Sequence, residues 1–257
     1  MRSRIIPIFA VFVFFSLVLS LGAADPASPP KARITALEGE VSYSMDGKAF
    51  QPVKLGGEIP ASATVKTGAN TRLELSLPDG SMMRMSGNSQ MKLAAMEYRQ
   101  ETKNRDYKFR LDLGKMWAKA RNISERGSKF EVETATAVTG VRGTVFRVNV
   151  DPSHATIVKV YQGSVLLRSP REVFRPAAAG ETRKEISGPR EVGPPEEISR
   201  AEWELLVKSM QEVSVSPEGK ASRPRDFTLQ EDLDDWVKWN LERDKSAPPE
   251  SQETPAK

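Results

Sequence analysis

The chain has 257 residues, with 38 Lys/Arg against 34 Asp/Glu, one His and no Cys. The lack of cysteine excludes disulfides, thiolate metal sites and a lipid-modified cysteine, and a lone histidine argues against Ser-His-Asp and Cys-His catalysis. An apolar fraction of 39% together with 18 prolines fits one good core with linkers and tails around it.

At the N-terminus, Arg2 and Arg4 precede the apolar run IIPIFAVFVFFSLVLSL, and Gly22 and Ala24 offer small residues for cleavage before Asp25. This predicts a signal peptide over residues 1–24 and an exported chain, periplasmic or otherwise outside the cytoplasm. The alternative is an uncleaved anchor, since the run is near the lower length limit for crossing a bilayer. Pro7, Ser16 and Ser20 weigh against it. Removing Arg2 and Arg4 lowers the net charge from +4 to +2, which gives little ground for nucleic-acid binding.

Residues 33–188 read as a β domain. In TRLELSL, Leu73, Leu75 and Leu77 share one face and Arg72, Glu74 and Ser76 the other, the pattern of a half-buried strand. Asp79-Gly80 then marks a hairpin, with SMMRM as the returning strand. KFEVET turns Phe130 and Val132 inward, and TVFRVNV does the same with Phe146, Val148 and Val150. ATIVKVYQGSVLL reads as two strands, Thr156–Tyr161 and Ser164–Leu167, meeting at Gln162-Gly163. Short strands with turn signals about every ten residues predict an all-β, jelly-roll-like sandwich or roll. A loose repeat supports this. Gly-x-apolar starts occur at Gly39, Gly114 and Gly163, and Thr-Gly corners at Thr67-Gly68 and Thr139-Gly140 precede alternating strands.

Beyond this domain, residues 189–198 form a Pro/Gly linker and residues 199–243 a two-helix extension. The first helix is expected from a capping box, Ser199 with Glu202, followed by Trp203, Leu206, Val207 and Met210 on one face. The second opens on Thr228 with Glu231 and carries Leu229, Leu233, Trp236 and Val237 at helical spacing. Residues 244–257 are polar and Pro-bearing, as a disordered tail would be.

Little in the chain points to chemistry. His154 stands alone in the DPSHA loop. No phosphate-binding Gly loop, dinucleotide fingerprint or metal-ligand spacing is present, so no cofactor is expected. Glu131 and Glu133 share a strand face, with Glu74 as a possible neighbour. Such carboxylates serve some glycosidases, but a solvated strand face is the simpler reading. Between Arg99 and Lys129 basic residues outnumber acidic ones, with Tyr107, Phe109 and Trp117 interleaved. A strip for a polyanion is one reading, and exposed strand faces with a loop the favoured one. Trp236 and Trp239 make the second helix more apolar than a single packed face requires.

The stretch FEVETATAVTGVRGTVFRVNV, with LPDGS and LDLGKMWAKA before it and VKVYQGSVLL after it, resembles the FecR-type domain of bacterial envelope proteins. The resemblance runs from about Gly39 to Gly180. It is most specific at V-R-G-T-x-F-x-V, that is Val141, Arg142, Gly143, Thr144 and Phe146. Family members known as iron-dicitrate sensors carry a cytoplasmic segment, one membrane span and this domain outside, and relay receptor occupancy to a sigma factor. Here only Met1 to Arg4 precede the apolar run, so the resemblance implies the exported stand-alone form. The expected role is a non-catalytic binding or scaffold module of the cell envelope, with an envelope protein or cell-wall polymer as partner. The rivals are a signal-anchored relay and a carbohydrate-active enzyme. Gly143 is expected to form a corner between strands, with Arg142 as a structural clamp. Arg142, Trp117, Trp236 and Trp239 are the candidate contact residues.

Overall fold

The computed structural model describes residues 30–122, 125–170 and 203–246. The signal segment, the Ser199–Glu202 capping box, the linker and the tail beyond residue 246 lie outside the described residues.

In chain order the strands are β1 (Lys31–Glu38), β2 (Val41–Ser44), β3 (Gln51–Pro52), β4 (Glu58–Pro60), β5 (Thr64–Thr67) and β6 (Arg72–Ser76). There follow β7 (Met82–Met85), β8 (Gln90–Arg99), β9 (Asn104–Lys119), β10 (Lys129–Glu133), β11 (Val138–Val141) and β12 (Val145–Val150). The last are β13 (Thr156–Gln162), β14 (Ser164–Arg168), β15 (Glu204–Lys208), β16 (Gln211–Val215) and β17 (Arg225–Asp226), before helices α1 (Leu229–Asp232) and α2 (Asp235–Ser246).

The pairings resolve into two sheets. Sheet I runs β4–β1–β6–β7–β9–β12–β13–β16–β17, all antiparallel. Sheet II runs β3–β2–β5–β8–β9–β10–β11–β14–β15, antiparallel except for the parallel pair β9–β10. β9 belongs to both. Asn104–Leu113 lies in sheet II and Gly114–Lys119 in sheet I. The chain is therefore the expected β-sandwich of short strands. Between the sheets lie Leu73, Leu75, Phe130, Val132, Phe146, Val148 and Val150, all buried as their alternation predicts. The rings of Phe109, Phe130 and Phe146 meet in series, at 5.4 Å and 6.3 Å between centroids.

The Gly-x-apolar repeat has a structural basis. At each of its three sites a pair of strands crosses together from one sheet to the other, and a hydroxyl on one strand ties down the residue after the glycine on the other. Thr71 Oγ1 accepts from the Glu40 amide at 3.2 Å. Ser89 Oγ accepts from the Lys115 amide at 3.1 Å. Thr144 Oγ1 donates to the Ser164 carbonyl at 2.9 Å. The crossing strands approach too closely for a side chain. A Cβ on Gly114, whose φ is +92°, would lie 2.1 Å from Ser89 Oγ. The V-R-G-T segment is the third crossing: Gly143 has φ +66°, and a Cβ there would lie 3.0 Å from Asn122 Cα. The expected corner at Thr139-Gly140 is displaced, because both residues sit inside β11 and the chain turns at Arg142–Thr144.

The C-terminal region differs from expectation in several elements. The helix expected over the stretch from Trp203 to Met210 is instead strand β15, which joins sheet II at the free edge of β14, and β16 follows it into sheet I at the free edge of β13. Trp203, Leu205 and Val207 alternate as well as Trp203, Leu206, Val207 and Met210 follow a helical stripe. Two open ladders of backbone donors and acceptors decide between them. Val207, Val213 and Val215 enter the core, and Leu206 stays exposed. Both helices come from the second predicted segment. The predicted capping box is present, with Thr228 Oγ1 accepting from the Glu231 amide and Glu231 accepting from the Thr228 amide. A break at Leu233 (φ −78°, ψ 78°) ends α1, which leaves Leu229 and Leu233 exposed. α2 continues to Ser246, past the expected start of the tail.

Candidate functional site beneath the C-terminal helix

In sheet I the residues that alternate away from the core form a continuous cross-strand row. Register places Glu74 opposite Arg84, Arg84 opposite Trp117, Trp117 opposite Arg147, Arg147 opposite Lys159, and Lys159 opposite Glu212. Pattern alone puts this face in water. Instead Glu74, Arg84, Trp117, Arg147 and Glu212 are all buried, because α2 and the segment leading to it lie across the row.

Two helix-borne carboxylates grip the row. Asp232 accepts from Arg147 Nη2 at 2.7 Å, from Lys159 Nζ at 2.9 Å and from the Tyr161 hydroxyl. Asp244 accepts from Arg84 Nη1 at 2.7 Å and from Trp117 Nε1 at 3.0 Å, and its backbone carbonyl accepts from Lys119 Nζ at 2.9 Å. Glu74 is the reciprocal contact. Arg84 Nε donates to it at 2.6 Å, and Arg243 of α2 donates two bonds at 2.6 and 2.7 Å. Lys159 also pairs with Glu212 at 2.7 Å.

Aromatic rings complete the contact. Trp117 and Tyr161 are 4.3 Å apart between centroids, and Trp236 stacks on Trp239 at 5.3 Å. The guanidinium groups of Arg72, Arg84 and Arg243 lie 5.5–5.8 Å from the Trp239 ring, within cation–π range.

The electrostatics follow from this geometry. Burial on its own would raise the Glu74 pKa, but hydrogen bonds from Arg243, Arg84 and Thr35 outweigh it and hold the carboxyl at about 2. Asp232 is also lowered: burial opposes ionisation, and bonds from Tyr161 and Lys159 with the charge of Arg147 prevail. Burial pushes the Tyr161 hydroxyl up, out of the range where it would ionise. Glu74 and Asp232 are therefore ionised at neutral pH.

The helix is positioned by these ion pairs and buries little apolar surface. Of its twelve residues only Trp236, Val237 and Asn240 are buried. Each fully buried large apolar side chain contributes about 1.5–3 kcal/mol, against roughly 1–2 kcal/mol per residue for ordering the backbone. Buried ion pairs add position more than stability. Arg84 Nη2, Arg147 Nε and Nη1, and Trp236 Nε1 are buried without a hydrogen-bond partner among the described residues.

The structure gathers three of the four candidate contact residues here. Trp117 is wholly buried in the row, Trp236 is buried beside it, and Trp239 is half-buried. Trp117 therefore faces the chain's own helix, not a free surface. Arg142 is not among them. It is exposed at the third crossing, and no hydrogen bond or ion pair joins it to another described residue, so the clamp expected of it is not formed. Val141, Thr144 and Phe146 are buried around that corner.

The remaining candidates are used by the fold. Glu131 pairs with Arg168 at 3.2 Å and Glu133 with Lys108 at 2.7 Å, on the outer side of sheet II. The aromatics of the basic stretch do not form a surface strip. Tyr107 and Phe109 are core residues, and Arg105 is buried against Asp79. Arg84, Arg147, Lys159, Asp232 and Asp244 were not singled out from the sequence. The signal for the first three was there, as charged residues at the non-core alternating positions of otherwise apolar strands.

Residues 63–166 match the family described as FecR protein. The match covers less than half of the chain. Two crystal structures described as a candidate anti-sigma factor from Parabacteroides distasonis ATCC 8503, at 1.65 and 2.50 Å resolution, share 14% identity with this chain, with TM-scores of 0.44 and 0.43. In each case the match covers 65% of this chain and 61% of the other. No curated protein matches the chain significantly.

Proposed function

We propose that this chain is an exported, non-catalytic binding module of the bacterial cell envelope, whose FecR domain serves a sensory or regulatory role. The observation that carries this reading is the FecR match over residues 63–166, a span that contributes strands to both sheets and two of the three crossings. The placement of the carboxylates supports the non-catalytic part. Glu74 is enclosed between Arg84 and Arg243, and Glu131 and Glu133 are each engaged in an ion pair. A general acid or base needs a carboxyl free to exchange a proton with substrate. Export rests on the signal-like N-terminus, and the partner expected is an envelope protein or cell-wall polymer.

The test is the mass of the N-terminal peptide recovered from fractionated cells. A chain starting at Asp25 in the soluble envelope fraction is the expected result. An intact Met1 in the membrane fraction would turn the reading into an anchored relay, and recovery from the cytoplasm would overturn it. Hydrolysis of cell-wall sugar by the purified chain, lost in Glu131→Gln or Glu133→Gln, would overturn the non-catalytic part.

A further inference from the structure

Apart from Glu212, the charged row and its cover come from different parts of the chain. Glu74, Arg84, Trp117, Arg147, Lys159 and Tyr161 all lie within the FecR domain, residues 63–166. Asp232, Trp236, Asn240, Arg243 and Asp244, which close over them, lie beyond it. The domain thus presents a buried, built recognition surface whose ligand in this structure is the α1–α2 segment supplied in cis.

We propose that the outer face of sheet I is a docking surface for a carboxylate-bearing helical segment of a partner protein, and that the α1–α2 segment occupies it until that partner displaces it. This deepens the binding role proposed above and rests on it.

The chemistry of the ligand is read from the cis contacts. One carboxylate engages Arg147, Lys159 and Tyr161, and a second engages Arg84 and Trp117. An aromatic ring lies between them, and one cation sits beside the second carboxylate to meet Glu74. Residues 227–246 fit by charge, with six acidic against three basic side chains. They do not fit completely. Four buried donor atoms, on Arg84, Arg147 and Trp236, find no acceptor among the described residues, and a buried unpaired donor is costly. A helix with further carboxylates would satisfy those on the sheet. The shallow apolar grip of α2, two buried apolar residues in twelve, is what makes exchange feasible.

The test uses the full chain and a fluorescent synthetic peptide of residues 227–246 as the probe helix. In a full-length Asp232→Asn/Asp244→Asn variant the cis contact is weakened, and peptide binding at least tenfold tighter than to the unsubstituted chain is expected. Adding Arg147→Gln to that variant should return binding to the original level. A folded variant that takes up no peptide, or binds equally a peptide whose carboxylates are all amides, would overturn the proposal.

Hydrogen exchange on the unsubstituted chain is an independent measurement should the double variant fail to fold. The amides of α2 are expected to exchange at least tenfold faster than those of β9 and β12, and equal protection would overturn displacement. A concentration-dependent dimer built by exchange of α2 would replace the partner with a second copy and overturn the proposal in that form. The assay uses purified chain, so its failure leaves the envelope assignment standing, and mislocalisation leaves this surface standing.

Discussion

Between the two sheets, Phe109, Phe130 and Phe146 pack ring to ring, while across the outer face of sheet I Glu74, Arg84 and Arg147 are hidden from water by ion pairs to the two C-terminal helices. Both regions are buried, but for different reasons. The interior gains from removing apolar area from water, a force that is non-directional and tolerant of its neighbours. The outer face returns charges to partners at fixed distances, which sets the position of α2 and adds little net stability. Burial thus marks the fold in one region and recognition in the other.

The largest expected effect tests the interior. Phe130→Ala removes a ring that contacts Tyr107, Phe109 and Phe146, and should cost about 3–5 kcal/mol in denaturant unfolding. A much smaller loss would mean that the sandwich is not the cooperative unit. Gly114→Ala should follow, at about 1–3 kcal/mol, since its Cβ would collide with Ser89 where β9 changes sheet. Gly143→Ala should cost less than this, its nearest contact being 3.0 Å. The opposite order would place the critical crossing at V-R-G-T.

Glu74→Gln probes the outer face. Breaking a buried pair typically costs about 3–5 kcal/mol, but here about 1–2 kcal/mol is expected, because α2 can lift and readmit water. Glu74 has a folded pKa of about 2, below its ordinary 4.5. Its contribution is therefore complete above about pH 4.5 and is lost as pH falls toward 2. Thermal melts of the two proteins should differ at pH 6 and converge between pH 4.5 and 2. A gap that persists at pH 2 would show that the carboxylate charge is not what α2 recognises. The smallest effect is expected for Arg142→Ala, within about 0.5 kcal/mol, as the side chain is exposed at its corner. A larger fall in melting temperature would restore the clamp.

The amino-acid pattern was enough for much of the sandwich. Period-two alternation names Leu73, Leu75, Phe130, Val132, Phe146, Val148 and Val150 as core, since each strand has one face that must leave water. The glycine repeat marks the three crossings, because close backbone approach and positive φ are local demands. Tertiary structure decided the rest. Residues 203–210 satisfy a helical stripe nearly as well as an alternation, and only the open edge of β14 makes them a strand. The polar face of sheet I gives no local hint of burial. Its cover lies 160 residues away from Arg84 in the case of Asp244, and no periodicity within a strand reports a charge that far along the chain.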